Sequence, residues 1–149
     1  MTKLKKLIAP TDLSKLLSAS VRYALEMGLD QGCEIIVYHV IDAGDDWFGE
    51  DDKLNPASAL LPQQRQRLSE FFKETCGDFL EKVEVKQVVE LGVLYRKIVE
   101  KAEAERTDLI VISTHGRTGI DYMLVGSVTQ KVVARASCPV LSIRPANSR

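Results

Sequence analysis

The chain lacks the features that mark a secreted, membrane-bound or nucleic-acid-binding protein. It has three cysteines, Cys33, Cys76 and Cys138, widely separated, odd in number and set in apolar surroundings. There is no C-x-x-C pair and no metal-ligand spacing, so the expectation is buried thiols in a reducing cytoplasm rather than a disulfide framework or zinc site. No apolar stretch is long enough to span a bilayer, and the opening "MTKLKKLIAPTDLS" carries lysines without an apolar core or small-residue cleavage site. A cytoplasmic protein with no membrane partner is expected. Charge of one sign is missing as well: 20 Lys and Arg against 21 Asp and Glu leave a formal charge of −1. No global field draws such a chain to nucleic acid. Repeats, low-complexity tracts and interdomain linkers are also absent.

What is present fits one globular domain over 1–149. At 149 residues, with 45% hydrophobic and 28% charged, composition is ordinary for a folded domain. Such a chain buries roughly two-thirds of its unfolded surface. Along it, strands alternate with helices. "KKLIAP" is a short apolar run ended by Pro10, and Ser14 can cap a helix with Leu17, Val21, Ala24, Leu25 and Gly28 on one face. "CEIIVYHVI" and "TDLIVIST" are near-continuous apolar runs, the mark of strands covered on both faces. "KVEVKQVVEL" alternates instead, which suits an edge strand. Asn55-Pro56 reads as a helix cap and first turn, with Pro62 restarting or kinking the helix. Leu68, Phe71, Phe72, Thr75, Cys76, Phe79 and Leu80 make a helical stripe there. Two further helices place Ile98, Val99 and Ala102, then Val128, Val132, Val133 and Ala136, inward, and "CPVLSIR" closes the series.

The βαβαβαβαβ pattern predicts an α/β fold, a single doubly wound domain with a five-stranded parallel sheet and helices on both faces. Right-handed crossovers and the edge character of 83–91 favour the order 3-2-1-4-5. Winding then reverses between the first and fourth strands, and ligands in such sheets bind beyond the strands' carboxyl ends at that switch point. Two segments converge there: Pro10-Thr11-Asp12, leaving the first strand, and "STHGRTGIDYMLVGSV" (113–128), leaving the fourth.

The second segment suits phosphate. Glycines at 116 and 126 remove Cβ atoms that would keep backbone N–H groups from an anion. Ser127 stands near the start of the last helix, where its hydroxyl, the N–H groups of Val128 and Thr129 and the helix dipole favour a phosphate. Asp12 would repel phosphate and suits a ribose hydroxyl or base amine. Each feature also has a plainer reading: Ser127 as a cap, Asp12 as a cap of the first helix, His115 as a loop hydrogen-bond donor, His39 as a structural histidine. The segment lacks the Gly-Lys-Ser/Thr ending of a Walker A loop.

These pieces together resemble the universal stress protein family over essentially the whole chain. The matching stretches are "APTDLS", "VYHVID", "ELGVLYRKIVEKAE", "STHGRTGIDYMLVGSVTQKVV" and "CPVLSIRP". The family's nucleotide motif is Gly-2x-Gly-9x-Gly-Ser/Thr. Gly116, residues 117–125, Gly126 and Ser127 fit it, while Ser113 stands where the family has its first glycine. A positive φ at Ser113 would be strained, and any other φ would leave its hydroxyl able to bond a ligand. The resemblance implies ATP as cofactor, with Mg or Mn as its candidate metal, and a homodimer. It implies Pro10, Thr11, Asp12 and Val40 at the adenosine end. It places Ile112, Ser113, His115, Gly116, Gly126, Ser127 and Val128 around the ribose and phosphates.

Three functions follow as alternatives: an ATP-binding stress-response sensor or regulator with a protein partner not identified by the sequence, a slow ATPase or phosphotransferase using the same site, or a dimeric scaffold with a vestigial site. The last strand, an apolar edge, is expected to form the homodimer. The acidic segment 42–62 reads as a solvated loop, in which Trp47 and Phe48 suggest a partner surface more than a flap over phosphates.

Overall fold

A computed structural model of the protein describes residues 3–44, 46–47, 54–115 and 125–145. Strand β1 (Lys6–Pro10) leads through a 3-10 turn (Lys15–Leu17) into helix α1 (Ser18–Gln31). Ser14 is the cap expected, accepting a hydrogen bond from the Leu17 N–H at 3.4 Å. After β2 (Glu34–Asp42), Asn55 caps a second 3-10 turn (Pro56–Leu60), and Pro62 stands in the first turn of α2 (Leu61–Cys76). There follow β3 (Val85–Gly92), α3 (Leu94–Ala104), β4 (Leu109–Ser113), α4 (Ser127–Arg135) and β5 (Val140–Ile143). Every pairing is parallel and the order is β3-β2-β1-β4-β5, as the sequence predicts.

Strand alternation sends successive side chains to opposite layers. Leu7 and Ala9 of β1 pack with α1 and α2, against Val21, Leu25, Leu68 and Phe72. Ile8 points the other way, into a cluster with Ile36, Tyr38, Val40, Ile110 and Ile112 under Ile98 of α3 and Val132 of α4. The two central apolar runs are therefore covered on both faces, and the sheet is doubly wound.

Two inward assignments differ from expectation. Leu80 is 48% exposed and Val133 is 56% exposed. The α2 stripe stops at Cys76, where the chain tightens into a 3-10 turn (Gly77–Phe79) that keeps Phe79 buried and turns Leu80 out. Adjacent valines 132 and 133 lie about 100° apart around a helix, so only Val132 reaches the core. Cys33 and Cys76 are buried as expected, and Cys138 is half-buried.

A charge network ties the amino ends of β1 and β3 to the end of α3. Glu105 accepts from Lys6 Nζ at 3.3 Å and lies 3.7 and 3.6 Å from Lys86 and Lys101. The Lys6 hydrogen bond, aided by the charges of Lys86 and Lys101, holds the Glu105 carboxyl below the ordinary glutamate value. A depressed folded-state pKa gives stability that is full above about pH 4.3 and lost as pH falls below it. In melting experiments at descending pH, Glu105→Gln should therefore show a shallower loss of stability on that acid limb than the parent. Parallel curves would remove this network from the protein's acid response.

Candidate functional site

The site is opened by a split in the sheet. β1 stays paired with β2 through Pro10↔Tyr38, but with β4 it pairs only at Leu7↔Leu109 and Ile8↔Ile110. β4 meanwhile follows β5 as far as Ser113↔Ile143. Beyond Ile8 and Ile110 the two strands go to different neighbours, and their carboxyl ends form the walls of a crevice at the switch point.

Polar residues are concentrated there. Of the seven buried polar residues described, Thr11, Ser113, Thr114, His115 and Thr129 lie at these two strand ends or in the first turn of α4. Only Ser20 and Thr107 lie elsewhere. Burying polar groups without partners is costly. Among the described residues each buried side-chain nitrogen and oxygen has a partner.

On the β1 side, Thr11 donates its N–H to the Tyr38 carbonyl at 2.9 Å, and its hydroxyl accepts from the Leu13 N–H at 3.0 Å. Asp12 Oδ1 accepts from the Ser14 N–H at 2.9 Å and from the Ser14 hydroxyl. The plainer reading of Asp12 thus has a counterpart in the fold: it builds the turn that carries Ser14 into its capping position. Leu13, between them, has φ of 66°, in the left-handed region that leucine avoids. Val40 and Ile112, 6% and 5% exposed, belong to the apolar cluster beneath α3 and α4.

On the β4 side, Ser113 is not among the residues with positive φ, so serine at the family's glycine position carries no backbone strain of that kind. Its hydroxyl donates to the His115 carbonyl at 2.8 Å, closing a tight turn. His115 is 5% exposed, and its Nδ1 lies 3.0 Å from the Thr114 hydroxyl oxygen. Gly116 lies outside the described residues. Gly126 is the N-cap of α4, which makes Ser127 the first helical residue rather than the cap. The Gly126 N–H donates to the Thr114 carbonyl at 2.6 Å, and the Thr129 hydroxyl donates to the Ser113 carbonyl at 2.7 Å. These two bonds dock the start of α4 onto the end of β4. The N–H groups of Ser127, Val128 and Thr129 have no intrahelical acceptor by helix geometry.

Thr114 and the Thr129 hydroxyl are the site residues that motif reasoning missed. Their signal was a hydroxyl two residues past the helix start and a second beside the histidine. Neither is unusual enough in sequence to stand out.

A concavity of about 410 Å³ lies elsewhere, along the outer edge of β3, with Arg65, Gln87, Glu90 and Lys97 among its walls. The crevice is taken as the candidate ligand site, because the buried polar strand ends and the helix N-terminus converge there. Among the described residues no group of three or more His, Cys, Asp or Glu is arranged to hold a metal ion. No described helix is long and apolar enough to cross a membrane.

A doubly wound parallel sheet whose switch-point crevice ends on a helix N-terminus defines an α/β protein of the kind that holds small ligands at its strand ends. Comparison with known proteins makes the assignment specific. Residues 3–144 match the profile of the universal stress protein family, and the chain belongs to that family. It is 30% identical over 142 residues to universal stress protein MJ0531 of Methanocaldococcus jannaschii, a match that covers 94% of this chain and 82% of that one. Among solved structures it is similar to MJ0577 of the same organism, at 27% identity and a TM-score of 0.78, covering 98% of this chain and 99% of that one. It also shares its fold with a universal stress protein solved in complex with cAMP, at 18% identity and a TM-score of 0.71, covering 97% and 100%.

Proposed function

We propose that this universal stress protein is an ATP-binding sensor or regulator of a stress response, acting through a homodimer whose nucleotide state sets a partner surface. The observation that carries the reading is the docking of the α4 N-terminus against the end of β4, at the mouth of the split between β1 and β4. Helix N-termini favour anions, because unsatisfied N–H groups and the helix dipole both point at the ligand. Gly116, Gly126, Ser127 and Val128 would hold the phosphates, with Mg or Mn as their accompanying cation. Ile112, Ser113 and His115 would border the ribose. Pro10, Thr11, Asp12 and Val40 would line the adenosine end. The fold shared with a protein that binds cAMP supports an adenine nucleotide as the class.

Asp12 gives a test that separates the two ends. Asp12→Asn keeps an acceptor for Ser14 and removes the charge, so the turn should survive. Adenosine and ATP should then weaken together, by about 10-fold, the worth of one hydrogen bond to a charged group. Calorimetric titration of both ligands reads this directly. Loss of ATP affinity alone would move Asp12 away from the sugar and base.

The dimer would form through β5. That strand pairs with β4 on one side, and Val140, Leu141 and Ile143 are only half-buried in the single chain. An apolar edge invites pairing, and antiparallel association with a second copy would close it around a two-fold axis. Sedimentation velocity at micromolar concentration should show a dimer. A monomer under those conditions would remove this part of the reading.

A further inference from the structure

We propose that His39 is a positioning residue for the nucleotide crevice, tying the loop that leaves β1 to the first turn of α2. This rests on the nucleotide reading above. The half-buried His39 ring stands between two partners: Nδ1 is 2.9 Å from the Thr11 carbonyl oxygen and Nε2 is 3.1 Å from Gln64 Oε1. A carbonyl can only accept, so Nδ1 must carry a hydrogen. In the neutral ring that leaves Nε2 bare, and the Gln64 amide must turn over so that its NH2 group, rather than Oε1, faces the ring. In the charged ring Gln64 presents its oxygen instead, since a glutamine amide serves either way round. The bond to Thr11 persists in both cases. His39 is a strut, not a switch.

The loop needs such a strut. With the Tyr38 carbonyl on its N–H, Leu13 N–H on its hydroxyl and His39 on its carbonyl, Thr11 has all three polar groups held within the protein. Two residues further on, Leu13 occupies the left-handed region at φ 66°, which persists only where the surroundings hold it. Asp12 and Ser14 brace this turn from within, and His39 braces it from the neighbouring strand. Gln64 extends the brace to α2, next to Arg65 on the β3-edge concavity. The first turn of α2 thereby becomes part of the support of a crevice formed by other elements.

The test uses the whole chain, titrated by calorimetry with ATP and with adenosine, alongside melting temperatures. His39→Leu removes both bonds, whereas His39→Asn puts an N–H donor near the place of Nδ1 and drops only Gln64. His39→Leu should weaken both ligands by about 10-fold, the scale of one lost hydrogen bond to a carbonyl. His39→Asn and Gln64→Leu should stay within about 3-fold of the parent, since the Thr11 bond survives in each. Nitrogen NMR of the neutral imidazole should show the hydrogen on Nδ1, the minor form of free histidine. A folded His39→Leu that binds as the parent does would overturn the proposal, and so would a His39→Asn as weak as His39→Leu. A neutral ring protonated on Nε2 would overturn it even if the leucine variant does not fold. If the parent binds neither ATP nor adenosine, the nucleotide reading itself has failed, and the NMR result still decides whether the tie to Thr11 exists.

Discussion

Gly126→Val is expected to weaken ATP binding by about 100-fold or more, a loss near 2.7 kcal/mol, in a chain that remains folded. The reason lies in close approach rather than in backbone freedom. Gly126 has φ −69° and ψ 161°, an extended conformation open to any residue. A Cβ placed on it, however, would stand 3.1 Å from the Thr114 carbonyl oxygen and 3.7 Å from the His115 Cα. The sequence suggests that this Cβ would sit where the phosphate goes; the structure points it instead at the end of β4. Valine adds two methyl groups at that contact, so the first turn of α4 must swing away from Thr114. The N–H groups of Ser127, Val128 and Thr129 swing with it and lose their aim into the crevice. Neither core cluster includes Gly126, so circular dichroism and cooperative melting should persist. Gly126→Ala, with one atom to accommodate, should fall between. A folded valine variant that binds ATP within about tenfold of the parent would sink the phosphate assignment.

The sheet was legible because its signals are redundant. Two continuous apolar runs mark the strands covered on both faces, one alternating run marks an edge, and handedness allows few orders. Local periodicity failed where an element ended: the stripe through Phe79 looked unbroken to Leu80, but the helix had already given way to a tighter turn. At the site, the glycine and hydroxyl at 126 and 127 could be placed near the helix start, yet their order around the cap could not. Which of them is the N-cap depends on one ψ angle, 161° at Gly126, and no residue preference separates glycine from serine strongly there. Buried partners were less legible still. That Ser113 would bond the His115 carbonyl, or Thr129 the Ser113 carbonyl, depends on where the chain returns after 125. A sequence window holds no such distance. The acidic segment stands apart: Trp47 is half-buried, and residues 45 and 48–53, with Phe48 among them, lie outside the described residues.

The second large effect concerns chemistry: the protein should hold ATP far better than it hydrolyses it. Hydrolysis needs a positioned water, a group to orient it and positive charge on the transferred phosphoryl group. Among the described residues, the side chains at the end of β4 are already engaged. The Ser113 hydroxyl donates to the His115 carbonyl, and the His115 ring is buried with Nδ1 against Thr114. Arg117 and Asp121, the charges that the sequence supplies between the strand and α4, lie outside the described residues. Among the described residues, what remains is a row of backbone amides at the start of α4. Amides grip a ground-state phosphate about as well as the transition state, and binding both equally does not raise turnover. The expected rate is well below the roughly 10 s⁻¹ typical of enzymes. Purified protein loaded with labelled ATP should therefore retain most of it over many minutes, with Gly126→Val purified in parallel to expose any contaminating ATPase. Release of phosphate at about 1 s⁻¹ or faster, present in the parent and gone in the valine variant, would replace the sensor reading with an enzyme. Equal slow release in both would be contamination and leave the nucleotide as a bound signal.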